Sequence, residues 1–338
     1  MKSVRSKGKQ KLSNYYQPML ATLVDEPFNN PDWVFEIKWD GYRAVAEVTK
    51  TNIQLYSRNG LSFKQLFPSI VEALKAIKTP VVLDGEIVVL NEDNKPDFQK
   101  LQQYGETKKG VLVFYVFDCV AVNNKLITDL PLLERKQMLQ ELLPENGIIK
   151  YAEHVAEHGL ELFTAAKAMD LEGIIAKRSS SLYRPGKRSA DWLKIKNHNM
   201  QEAVIAGYTE PRGSRSYFGA LILGIFENGK LKYIGHTGTG FTQQILKDVY
   251  KKMQSLKRPT SPFKTKVPVS SDVTWIEPEL VCNIKFSEIT QSGILRHPVF
   301  MGLRIDKTAK EADHLDVPTA STRSLNARSK SKRTKTLH

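Results

Sequence analysis

The sequence predicts an α+β protein of two domains, a mixed strand-and-helix domain followed by a small all-β one. Three observations predict it. The chain has 338 residues, enough for two hydrophobic cores. Its texture changes after Asn197, from long strand-like and helical runs to short strand-like runs alone. Asn228-Gly229, between two of those short runs, is a strong hairpin-turn signal.

In the first part, residues 33–37, 44–48, 81–90 and 112–122 are rich in β-branched and aromatic residues and read as strands. Residues 132–143 and 160–169 space their apolar side chains as helices do. In the second part the strand-like runs are 203–208, 220–226, 231–235 and 281–289, interrupted by one helix near 242–256. That pattern suggests a partly open barrel of the OB type. The expected organisation is a basic arm over 1–14, a first domain over 15–198, a second over 199–310 and a basic disordered tail over 311–338. There is no internal repeat.

Composition excludes some classes. No apolar run approaches the roughly 20 residues of a membrane span. Residues 1–11 are basic and polar with no apolar run behind them, unlike a secretory signal. The two cysteines, Cys119 and Cys282, each sit in an apolar stretch, so buried free thiols in a reducing compartment are expected. Two isolated cysteines cannot form a Cys-rich zinc site. The net charge of +14 is concentrated at the ends. Lys2, Arg5, Lys7, Lys9 and Lys11 open the chain, and Arg323, Arg328, Lys330, Lys332, Arg333 and Lys335 close it, with no acid in either stretch. Such arms either gather phosphate backbone without reading sequence or only confer solubility.

Four motifs carry chemistry. Glu36-Ile37-Lys38-Trp39-Asp40-Gly41-Tyr42-Arg43 places a lysine at a strand end, where partial desolvation and a neighbouring cation or metal would lower its pKa. The plain alternative is a surface lysine before an Asp-Gly hairpin. Asp84-Gly85-Glu86 opens a buried apolar strand with carboxylates, which is costly without partners. Glu172-Gly173, with Lys177 farther along, repeats the arrangement. In Asp191-Trp192-Leu193-Lys194-Ile195-Lys196, strand alternation puts Lys194 and Lys196 on one face, an arrangement that suits a phosphate between them. Each alone is equally a capped strand or a lysine-guarded edge. The four in this order are not.

The ordered set Lys38-x-Asp40-Gly41-x-Arg43, Ser57-Arg58-Asn59-Gly60, Asp84-Gly85-Glu86, Phe117-Asp118, Glu172-Gly173 and Lys194-Ile195-Lys196 resembles the covalent nucleotidyltransferase superfamily of DNA ligases, RNA ligases and capping enzymes. Arg296-His297-Pro298 and Gly302-Leu303-Arg304-Ile305-Asp306-Lys307 look like its last motif. Tyr16-Gln17-Pro18-Met19-Leu20-Ala21, Tyr183-Arg184-Pro185-Gly186-Lys187-Arg188 and Gly238-Thr239-Gly240-Phe241 carry a narrower similarity to bacterial end-joining ligases, both the ligase module of ligase D and stand-alone relatives. The likeness covers residues 15 to 310 or so. It implies an ATP-grasp-like nucleotidyltransferase domain followed by an OB-fold β-barrel, and an ATP-dependent DNA ligase working in nick sealing or end joining.

The resemblance further implies roles. Lys38 takes AMP from ATP as a covalent intermediate. Glu36, with the backbone near Ile37, reads the adenine amino group; Glu86 and Arg43 hold the ribose; Phe117 stacks on adenine, unless it is ordinary core. Arg58 and Arg188 contact phosphates, Lys194 and Lys196 neutralise the α-phosphate, and Glu172, with Glu86, supports Mg2+ or Mn2+ rather than zinc. Arg304, Asp306 and Lys307 close over the triphosphate, which requires a hinge near 197–203. His236, Met301 and Ile305 depart from the residues usual in these relatives. The implied partners are nicked or broken duplex DNA and a Ku-like bridging protein, with no membrane, for a monomer in a bacterial cytoplasm, at the nucleoid. Two rivals remain at this level, an enzyme of the same chemistry (an RNA ligase or a GTP-using capping enzyme) and a non-catalytic DNA binder.

Overall fold

A computed structural model describes residues 16–315 apart from 146, 198, 212, 214, 270 and 314. The basic arm and most of the tail lie outside the described residues. The chain divides after Asn197 into two compact units.

The first unit opens with β1 (Leu20–Val24), β2 (Asn30–Ile37), β3 (Tyr42–Val48) and β4 (Ile53–Ser57). After α1 (Pro68–Leu74) come β5 (Val81–Leu90), α2 (Phe98–Thr107), β6 (Val111–Val122) and the short β7 (Lys125–Leu126). Then follow α3 (Leu132–Leu142), β8 (Ile149–Tyr151), β9 (His154–Glu157), α4 (Gly159–Ala168), β10 (Gly173–Arg178) and β11 (Arg188–Lys196). These strands make two sheets, one in the order β1-β11-β10-β2-β9, the other β4-β3-β5-β6-β7 with β8 beside β6.

β5 shows why the second sheet forms where it does. Its apolar run is buried on both faces, so it takes a central place between β3 and β6. In the first sheet the two faces differ. Phe35, Ile174, Ala176, Leu193 and Ile195 form an apolar core with Ala166 of α4. The opposite face carries Glu36, Ile175, Lys177, Trp192, Lys194 and Lys196, as the cross-strand register requires. α1 and α2, which the sequence reading did not name, are short and bury two residues each, Ile70 and Leu74 in α1 and Phe98 and Leu101 in α2.

Residues 38–41 carry the chain from the first sheet to the second. β2 and β3 do not pair, so Asp40-Gly41 is not a hairpin turn. A Cβ on Gly41 would lie 2.2 Å from the Ile87 carbonyl oxygen, so only glycine lets the crossing pass this close to β5.

The second unit is built on β12 (Asn199–Thr209), β13 (Leu221–Glu227) and β14 (Lys230–Thr237), followed by α5 (Gln243–Met253). Then come β15 (Lys257–Arg258), β16 (Val273–Ile276), β17 (Val281–Phe286), β18 (Glu288–Ile289), β19 (Leu295–Arg296) and β20 (Val299–Leu303). β12 pairs with β13 along one edge and, along the other, first with β17 and then with β16. β20 adds to β17, and a single parallel bridge, Thr239 with Val299, joins the segment after β14 to β20. That is a barrel closed by one bridge, in keeping with the OB architecture.

Asn228 and Gly229 turn the β13–β14 hairpin with φ of 50° and 72°, the left-handed pair that a two-residue loop demands. Two expectations need correction. The run 281–289 is not one strand: after Phe286 the chain leaves β17, Ser287 bonds the Arg296 carbonyl, and β18 pairs with β19 instead. Residues 311–313 and 315 are not tail. Ala312 is buried, its carbonyl accepts from Phe226 N–H at 2.7 Å, and Leu315 packs on the core. Residues 199–203 lie in β12 and pair with β17.

Candidate active site

Lys38 stands at the sheet crossing. Its backbone N–H donates to the Gly173 carbonyl at 2.9 Å, and its Nζ donates to Glu172 Oε2 at 2.5 Å. Glu172 immediately precedes β10, and its own carbonyl accepts from Asn197 N–H at 2.8 Å. Lys38 keeps 21% of its side chain exposed and Glu172 12%, so the pair is reachable but largely desolvated. Burial alone would pull the Lys38 amine down. Glu172, with smaller help from Glu86 and Asp40, outweighs that and raises it. With carboxylates as its nearest charges, the protein alone holds Lys38 as an ammonium, and the lowering expected of a neighbouring cation or metal is a separate effect.

Across the second sheet, Arg43 of β3, Glu86 of β5 and Tyr115 of β6 are cross-strand neighbours and share a face. Arg43 grips the buried Asp84 with both Nε and Nη2, each at 2.6 Å, and also reaches the Met19 carbonyl. Tyr183 donates to the same carboxylate at 2.6 Å and accepts from Met19 N–H. The Arg43 guanidinium lies 4.5 Å from the Phe117 ring centroid and the Lys177 ammonium 4.3 Å from it. Phe117 is only 8% exposed and belongs to a core with Tyr183 and Trp192.

Behind Lys38 lies a charge cluster hidden from solvent. Glu36 is 2% exposed. Its two oxygens accept from Lys136 at 2.8 Å and Lys177 at 2.7 Å. Burial would raise this carboxyl, but the two ammonium groups overcome it and hold it low. Lys177 is pulled down by burial to about 8 despite Glu36, whereas for Lys136 burial also pulls down but Glu36, with Tyr151 and Asp118, together outweigh it and raise the amine. Beside them Arg135 forks onto Asp118 at 2.8 and 2.9 Å. The sequence reading did not name Lys136 or Arg135. The signal was there: Leu132, Arg135, Lys136 and Leu139 fall at helical spacing on one buried stripe of α3, two cations among leucines.

Lys194 and Lys196 are half-buried on the charged face of the first sheet, opposite Ile175 and Gly173 respectively. Ile37 ends β2 opposite Ile174. Arg58 is half-buried in the tight turn at 57–60. Arg188 opens β11, exposed, and donates to the Ala21 carbonyl. In the second unit Arg304 forks onto the buried Asp306 at 2.9 and 2.7 Å, and Lys307 pairs with Glu202.

The donor set fits a hard divalent cation. Glu172 already holds a cation in the form of the Lys38 ammonium, and its oxygens suit magnesium or manganese. Among the described residues no group of three or more His, Cys, Asp or Glu side chains forms a metal cage, so the ion would take its remaining ligands from phosphate and water. No helix among the described residues is long and apolar enough to cross a membrane.

This arrangement has known counterparts. A family profile described as "ATP dependent DNA ligase domain" matches residues 18–196, and one described as "ATP dependent DNA ligase C terminal region" matches 214–307. The "Multifunctional non-homologous end joining protein LigD" of Pseudomonas aeruginosa is 38% identical over 91% of this chain and 37% of its own length. The "SPbeta prophage-derived DNA ligase-like protein LigB" of Bacillus subtilis is 31% identical over 86% of this chain and 100% of its own. A solved structure, "mycobacterial DNA ligase D complexed with ATP and MES", superposes with a TM-score of 0.67 at 31% identity, covering 88% of this chain and 97% of that one. The chain spans 37% to 39% of the length of the LigD relatives it matches.

Proposed function

The chain belongs to the ATP-dependent DNA ligase family, and from that premise we propose that it joins 3′-hydroxyl and 5′-phosphate DNA ends through AMP carried on Lys38. The observation that carries this reading is a lysine held at the crossing of two sheets, against Glu172, with Glu86, the cross-strand neighbour of Arg43, acting on it from the second sheet.

The chemistry is three in-line displacements at phosphorus. Lys38 Nζ, having given up a proton, attacks the α-phosphorus of ATP; a P–N bond forms and the bond to pyrophosphate breaks. An oxygen of the DNA 5′-phosphate then attacks the same phosphorus, and the amine departs and recovers a proton. Finally the 3′-hydroxyl attacks the adenylated 5′-phosphate and AMP leaves. Such reactions depend mainly on positioning and charge neutralisation. Lys194 and Lys196 supply cations on the face that also bears Glu36. Glu172, with Glu86, would hold a divalent ion, which would supply further neutralisation of phosphate oxygens.

Ribose binding falls to Glu86 and Arg43, the latter held rigid by Asp84, and adenine reading to Glu36, the backbone at Ile37, and Phe117. Arg58 and Arg188 contact phosphate, and Arg304, Asp306 and Lys307 serve the first step. In this structure the last three are paired within their own unit, so step one requires Arg304 and Lys307 to exchange those partners for phosphate. The physiological setting we assign is repair of broken DNA, in the bacterial cytoplasm at the nucleoid, by a monomer with a Ku-like bridging partner. Similarity to LigD supports that setting.

The test is incubation with α-labelled ATP and magnesium, denaturing electrophoresis, then a nicked duplex. Wild type should retain label through denaturation and seal the nick, and Lys38→Ala should do neither. Label retained by Lys38→Ala would overturn the assignment.

A further inference from the structure

We propose that Trp39, through its stack on Tyr115, is a positioning residue that fixes the Lys38 amine for attack on ATP. The inference rests on the reading of Lys38 as nucleophile. Residues 38–41 pass from one sheet to the other, and the amine can be placed accurately only if that short crossing is held at both ends. At the first sheet the tie is Lys38 N–H on the Gly173 carbonyl, 2.9 Å. At the second sheet Gly41 passes close against Ile87. Between them Trp39 lies flat on Tyr115, ring centroids 3.9 Å apart and planes 3° from parallel.

Tyr115 is not a casual neighbour. It sits in β6 directly opposite Glu86 of β5, which in turn sits opposite Arg43 of β3. Val88, Leu90 and Val113 form the small core on which Trp39 and Tyr115 rest. The stack therefore connects the residue next to the nucleophile with the row of side chains that faces the nucleotide. Broad planar contact restrains both position and tilt, which a single aliphatic contact does not. Displacement of a reacting group by about 1 Å lowers a rate about 100-fold.

The test compares the full chain with Trp39→Leu, Tyr115→Leu, the double variant, and the aromatic replacements Trp39→Phe and Tyr115→Phe. Leucine keeps the apolar cover over Val88, Leu90 and Val113, so folding is not the readout. Each leucine variant should lower kcat for self-adenylation about 10- to 100-fold with KM for ATP changed less than about 3-fold. The double variant should be no worse than the poorer single one, since one contact is being removed twice. The phenylalanine variants should stay within about 3-fold of wild type. Sealing of a nick that is already adenylated forms no bond to Lys38 and should fall less than about 3-fold in every variant.

Normal adenylation by Trp39→Leu overturns the proposal. Equal loss of adenylation and of sealing on the pre-adenylated nick also overturns it, because that marks a general structural role. Lys38→Ala, run alongside, separates the two ideas: label on that variant sinks the nucleophile assignment itself. Label lost there but intact in Trp39→Leu sinks only the positioning.

Discussion

Lys136 reaches Glu36 across 100 residues of sequence and donates to its carboxylate at 2.8 Å, both side chains almost wholly buried. Lys177 holds the other oxygen, so the triad carries two cations and one anion away from water. This imbalance orders the cost of its variants. Glu36→Gln leaves two buried ammonium groups facing each other and should cost about 3–5 kcal/mol. Lys136→Met leaves a neutral pair and should cost less, about 1–3 kcal/mol. Urea unfolding of the two variants decides; a larger loss for Lys136→Met would show that the triad is not the electrostatic unit described.

The same cluster marks how far the sequence could be read. Strands rich in β-branched residues were legible because burial on a sheet face selects those side chains, and β5 and β6 fall within a residue of the runs that the sequence showed. The Asn228-Gly229 hairpin was legible because its backbone conformation admits few other residues. Asp40-Gly41 misleads for the opposite reason. A local motif cannot say whether the next strand returns to its neighbour or joins another sheet, and here it joins another. Likewise Lys38, Glu86 and Glu172 could be picked out one by one, but not that carboxylates would dominate the lysine. Arg135 and Lys136 escaped because charged residues on a helix are ordinarily read as its solvent face, and only the buried leucines at the same spacing argue otherwise.

Self-adenylation should accelerate as pH rises, because Glu172 raises the Lys38 amine and attack needs the neutral form. Glu172→Gln removes the largest upward influence, so in metal-free protein the amine should titrate at lower pH than in wild type. The measurement is the pH dependence of Lys38 labelling by an amine-reactive reagent, without metal or ATP, in the two proteins. A profile that stays in place or moves to higher pH would mean that another group controls the amine.

Tyr183→Phe isolates one contact in the Asp84 network. The hydroxyl donates to Asp84 at 2.6 Å and accepts from Met19 N–H at 3.1 Å, while Arg43 still forks onto the same carboxylate. Loss of one charge-assisted bond and one backbone partner should cost about 1.5–3 kcal/mol, with the fold intact. Asp84→Asn weakens both the Arg43 fork and the Tyr183 bond, so its cost should be greater. If denaturant midpoints rank the two variants the other way, Arg43 and not Asp84 anchors the network.

The two thiols give a pH signature of the folded state. Cys119 and Cys282 are buried, and burial pushes Cys119 up from 9.0 to about 12, with Asp118 adding to it. Burial raises Cys282 as well. The unfolded thiols ionise near 9, so between about pH 9 and 12 the native state binds more protons than the unfolded one. Their contribution is complete below about pH 9 and is lost as pH rises toward 12. Cys119→Ala should therefore lose part of the alkaline slope in unfolding free energy. At pH 8 a thiol reagent should label native protein far more slowly than protein in guanidinium, since the reactive thiolate is scarce and shielded. Rapid labelling of native protein would place at least one of these cysteines at the surface, against the packing of β6 and β17 described above.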